Sequence, residues 1–62
     1  MTPINAIQTL SKYMQALFSD GILYFSNEEM LVTEDRKNIL FNDIKVIKEC
    51  IQILEDNLNS NK

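Results

Sequence analysis

Apolar residues recur along the first third of the chain at three- and four-residue spacing: Ile4, Ile7, Leu10, Met14, Leu17 and Phe18 fall on one face of a helix, with Tyr13 near its edge. Thr2-Pro3 supplies the start. A threonine hydroxyl accepts a hydrogen bond from a first-turn N-H, and proline at the first helical position loses nothing by its missing N-H. Asp20-Gly21 supplies a stop, because glycine takes the left-handed conformation that closes a helix. The prediction is a helix over 3–19. Its opposite face, Asn5, Gln8, Thr9, Lys12 and Gln15, is polar but nearly uncharged.

The middle of the chain reads two ways. Ile22-Leu23-Tyr24-Phe25 and Met30-Leu31-Val32-Thr33 are two apolar runs around the polar stretch Ser26-Asn27-Glu28-Glu29, the pattern of a short β-hairpin. Ser26 with Glu29 three residues later is also a capping box that opens a helical turn. Strand-favouring Tyr24, Phe25, Val32 and Thr33 tip the expectation over 22–33 to the hairpin. Two strands alone are marginal in water, so that hairpin would have to pack on a helix or pair across a dimer.

Thr33 as N-cap and Glu34-Asp35 in a first turn then open a long helix, predicted over 34–58, with residues 59–62 a polar tail that frays. Leu40, Ile44, Ile47, Ile51, Leu54 and Leu58 alternate four and three apart, which is a heptad seam. A second stripe, Ile39, Val46 and Ile53 with Cys50, lies about 110° around the axis. One short helix and a hairpin cover one stripe, so the second calls for another copy of the chain. The fold class expected is mainly α, or a small α+β arrangement with the hairpin: a helical-hairpin protomer in a homodimer, with Leu40, Ile44, Ile47, Ile51, Leu54 and Leu58 at the dimer interface.

Composition narrows the function classes. At 62 residues the chain makes one small domain, 1–62, with little room for a deep ligand pocket. It is 45% hydrophobic with one Gly and one Pro, which excludes disordered and collagenous classes. One Cys and no His leave neither an internal disulfide nor a zinc site, so self-association is the remaining way to reinforce a small core. The lone thiol, an N-terminus without a signal-peptide pattern and the lack of an 18-residue apolar run point to a soluble cytoplasmic protein.

Catalysis finds no constellation. Cys50 lies in an apolar sector with no His to activate it, and the adjacent pairs Glu28/Glu29 and Glu34/Asp35 are explained by turn and helix-start roles. No catalytic, cofactor or metal residue is expected, and the protein is read as not an enzyme. A net charge of -3 with no basic stripe gives nucleic acid or an anionic membrane little to attract.

The order Gly21, apolar strand, turn, Met30-Leu31-Val32-Thr33-Glu34 and long helix resembles the wing and dimerisation helix of winged-helix regulators. That resemblance implies a nucleic-acid-associated transcriptional regulator, the alternative function. The chain departs from it in having one helix before the hairpin where a reading head needs two or three. The leading expectation is protein binding, as an inhibitor, adaptor or antitoxin-like regulator of a larger protein, through Tyr24, Phe25, Glu28, Glu29, Met30 and Leu31.

Overall fold

The computed structural model describes residues 1–26 and 34–60, which form two helices, α1 (Pro3–Ser26) and α2 (Glu34–Ser60). They run antiparallel: Pro3 and Ile7 border Leu54 and Leu58 at one end, and Tyr24 and Phe25 border Lys37 and Phe41 at the other. The molecule is a rod of 50 × 15 × 15 Å. A mainly α helical hairpin is what the structure holds.

α1 starts where the Thr2-Pro3 pair predicts. The Asn5 amide donates to Thr2 Oγ1 at 3.1 Å, which caps an otherwise unsatisfied first-turn donor, and the Ala6 amide donates to the Thr2 carbonyl at 2.8 Å as the first bond of the helical ladder. It does not stop at Asp20-Gly21. Gly21 has no left-handed φ, and the helix continues seven residues past Ser19 to Ser26. Glycine in a helix interior costs about 0.5–1 kcal/mol relative to alanine. Carrying the helix on half-buries Tyr24 beside Leu40 of α2, which offsets this cost, while Phe25 stays exposed.

The strand expected over Ile22–Phe25 is therefore the end of α1, which removes one arm of the predicted β-hairpin. Ser26 does not open a capping box either, because its hydroxyl donates back to the Ile22 carbonyl. The expected arm Met30–Thr33, the turn residues Asn27, Glu28 and Glu29, and the Thr33 N-cap lie outside the described residues. α2 begins at Glu34 as predicted, with Glu34 and Asp35 in its first turn. It runs to Ser60, two residues beyond the predicted end, its last turn held by Asn57 Nδ2 donating to the Ile53 carbonyl and Ser60 Oγ to that of Asp56. Asn61 and Lys62 are outside the described residues.

The two helices meet on a seam whose α2 side is Leu40, Asp43, Ile47, Cys50, Leu54 and Asn57, spaced three and four apart. Leu40, Ile47 and Leu54 belong to the predicted heptad seam. Ile44, Ile51 and Leu58 do not face α1. They stand one residue on from Asp43, Cys50 and Asn57, about 100° further around the helix. The physical reason is the width of the apolar sector: a contact centred between the two stripes part-covers both, with Val46 and Ile53 half-buried on one flank. From α1 the seam takes Ala6, Leu10, Tyr13, Ala16, Leu17 and Asp20, of which only Ala6 is fully buried. Ile4, Ile7, Met14 and Phe18, expected on the same face as Leu10 and Leu17, point away from α2 and remain exposed.

Candidate protein-binding face

The exposed apolar residues are not scattered. On α1, Ile7, Met14, Phe18 and Phe25 form a stripe along the helix, more than half exposed in each case, and Phe25 is 78% exposed. On α2, Phe41, Ile44, Ile51 and Leu58 form another. Both stripes flank the same side of the hairpin, since Phe25 borders the groove that Phe41 and Ile44 line, and Ile7 borders the one that Leu54 and Leu58 line. The result is one apolar face running from the termini to the junction between the helices. Tyr24 and Phe25 stack edge to face at its upper end, ring centroids 5.0 Å apart.

The opposite side of α1 carries Asn5, Gln8, Lys12, Gln15 and Ser19, all exposed. α1 as a whole has only Lys12 and Asp20 as charged residues, while α2 carries the remaining described charges on its outer surface, Asp43 excepted. The Gln52 amide there donates to Asp56 Oδ1 at 2.8 Å.

Of the residues predicted for a dimer interface, Leu40 and Ile47 are consumed by packing on α1, Leu54 is half-buried, and Ile44, Ile51 and Leu58 stay open on the apolar face. Of those predicted to contact a larger partner, Phe25 is exposed on this face and Tyr24 is half-buried beside it. Glu28, Glu29, Met30 and Leu31 lie outside the described residues.

A second constellation was not foreseen. Asp43 of α2 is only 4% exposed and its carboxyl hydrogen-bonds to the Asp20 carboxyl of α1 across the seam. Burial first, then the hydrogen bond and charge of Asp20, push the Asp43 carboxyl above the ordinary carboxylate range. Asp43 Oδ2 has no hydrogen-bond partner. Arg36 and Ile39 border the same notch as Asp20. The signal for this pair was present in the sequence: Asp43 continues the three-and-four spacing of Leu40, Ile47 and Cys50, which places it in a packed seam regardless of its charge.

Cys50 is 1% exposed, enclosed between the helices, and its thiol is not bonded to another cysteine. Among the described residues no group of three or more His, Cys, Asp or Glu side chains is placed to hold a metal ion, and no helix is long and apolar enough to cross a membrane. Compared with protein-family models, curated proteins and solved structures, the chain matches none.

Proposed function

We propose that the protein is a binding protein and not an enzyme: a cytoplasmic homodimer that closes its apolar face against a second copy and regulates a larger protein by occupying part of its surface, as an inhibitor, adaptor or antitoxin-like regulator. The observation that carries this reading is the continuous apolar face on both helices. A compact monomer of 7.2 kDa exposes about 4,100 Å² by size scaling. This hairpin exposes 4989 Å². The excess reflects the rod shape of 50 × 15 × 15 Å, in which one side of each helix has no covering layer.

The core gives independent support. Only Ala6, Leu40, Ile47 and Cys50 are buried apolar residues among those described, a small core from which to draw the several kcal/mol a stable domain needs. Covering Phe18, Phe25, Phe41 and Ile51 would supply the rest. The nucleic-acid alternative draws less support, since Ile22–Phe25 is helical where a wing needs a strand and α1 offers Lys12 as its one cation.

Sedimentation equilibrium at micromolar concentration tests the dimer, with twice the chain mass expected. A folded monomer whose melting temperature does not change with concentration overturns it. For the larger partner, affinity capture from the native host followed by mass spectrometry is the measurement. Tyr24→Ala combined with Glu28→Lys is expected to abolish capture at unchanged dimer mass; capture that survives this change but is lost in Lys45→Glu with Lys48→Glu moves the binding surface to the outer face of α2.

A further inference from the structure

Resting on the dimer reading above, we infer that the second copy lies antiparallel to the first, α1 on the partner's α1 and α2 on the partner's α2, about a two-fold axis that crosses the hairpin beneath Ala16 and Val46. Such a dimer is isologous, so every contact occurs twice and positions equally far from the axis meet each other.

The apolar positions Ile7, Met14, Phe18 and Phe25 of α1 and Phe41 and Ile51 of α2 are symmetric about those two points, while Leu58 pairs with Glu34. On α1, Ile7 and Phe25 lie nine residues to either side of Ala16, and Met14 and Phe18 lie two to either side. The antiparallel arrangement puts Ile7 on the partner's Phe25 and the Met14 thioether on the partner's Phe18 ring, a favourable sulfur-aromatic contact. Five residues to either side of Ala16 are Ser11 and Gly21, two small residues that let the α1 backbones approach.

α2 complements this level by level. Five residues to either side of Val46 are Phe41 and Ile51, bulky where α1 is small. Nine residues to either side are Lys37 and Glu55, so each end of the α2 pair brings a cation to an anion. At two residues, Ile44 meets Lys48, whose methylene stem covers apolar surface while its ammonium reaches water.

A single axis serves both helices only if Ala16 and Val46 stand at the same height. They do: Asp20 is hydrogen-bonded to Asp43, and these lie four residues after Ala16 and three before Val46 on antiparallel helices, a mismatch of about one residue or 1.5 Å. The area suffices, since the exposed parts of these apolar side chains amount to on the order of 1,000 Å² per protomer. In the other closed arrangement, with both helix junctions at one end, α1 faces the partner's α2. Lys37 and Glu55 then confront the apolar ends of α1, which has no charge on this face, and lose each other.

Zero-length carbodiimide cross-linking of a mixture of ¹⁴N- and ¹⁵N-labelled wild-type protein tests the arrangement. The expected product is a covalent dimer with an interchain Lys37–Glu55 bridge; within one α2 these residues are about 27 Å apart, too far to join. Lys37→Glu and Glu55→Lys are each expected to weaken the dimer about threefold to tenfold, and the double exchange to restore it. The interchain bridge or the rescue supports the arrangement. A dimer by sedimentation that shows neither overturns the antiparallel arrangement and leaves the dimer standing; a monomer by sedimentation overturns both and assigns the face to a different partner.

Discussion

The Asp43 carboxyl lies against the Asp20 carboxyl across the α1/α2 seam, while Asp43 Oδ2 stays unpartnered. A raised carboxyl pKa means that the folded chain binds more protons than the unfolded one above about pH 4, so this pair weakens the fold as pH rises. The loss begins near the ordinary aspartate pKa and levels off once pH exceeds the raised value. Asp43→Asn keeps a donor toward Asp20 and removes the titration. Its melting temperature at pH 7 is expected to exceed that of the wild type, with the difference closing toward pH 4. Thermal denaturation followed by circular dichroism at several pH values measures it; a constant difference across that range contradicts the raised Asp43 pKa.

Gly21 lies inside α1 with ordinary helical geometry, and a Cβ there would meet only Leu17 Cδ1, at 4.0 Å. Gly21→Ala is therefore expected to favour the α1 helix of the single chain by about 0.5–1 kcal/mol and to raise its helical signal, while in the dimer inferred above the added methyl meets the partner copy and weakens association. A fall in helical signal would show that the chain needs the helix to end there.

The Thr2 cap has the opposite sign. Thr2→Ala deletes the acceptor for the Asn5 amide and is expected to cost about 1 kcal/mol. Thr2→Ser, which keeps the hydroxyl, should cost much less, and urea denaturation of the two variants separates them.

Ile47 and Phe18 separate folding from association. Ile47 is buried in the seam, and a carboxylate placed there by Ile47→Asp should cost several kcal/mol and unfold the chain. Phe18 is 70% exposed, so Phe18→Asp leaves the packing of α1 on α2 untouched and is expected to lower stability only through loss of the dimer. Sedimentation should show a shift toward the single-chain mass for Phe18→Asp.

Cys50 provides a reporter of opening. Enclosed between the helices, its thiol is expected to react with a thiol reagent only as fast as the hairpin opens, and Cys50→Ala to lower stability by a packing loss. Instant labelling of the native protein would contradict this enclosure.

Local signals read from the sequence were strongest where one residue type had one physical role. The Thr2-Pro3 start and the Glu34-Asp35 start are both found where expected, because capping and helix-dipole effects act within a single turn. The Asp20-Gly21 stop failed because a C-cap glycine competes with whatever apolar contact the continuing helix can make, and here Tyr24 makes that contact on α2. Rotation about a helix axis was legible only in part. Spacing identified two apolar stripes on α2, but the choice to centre the contact between them, on Asp43 and Cys50, depends on the shape of α1 and its small residues Ala6 and Ala16. The same rotation left Ile44, Ile51 and Leu58 open while burying Leu40 and Ile47.

The seam between the helices has one more property. Leu40, Ile47 and Leu54 repeat every seven residues, so sliding α2 along α1 by a heptad would bring equivalent leucine and isoleucine side chains back into the same places. Apolar packing alone scarcely distinguishes the slipped register from the native one. Asp43 does: a slip of seven residues would carry it about 10 Å from the notch beside Asp20 and set Cys50 against that aspartate. A costly polar group in the middle of a greasy seam thus acts as a peg that fixes where one helix stops along the other, trading stability for a single alignment.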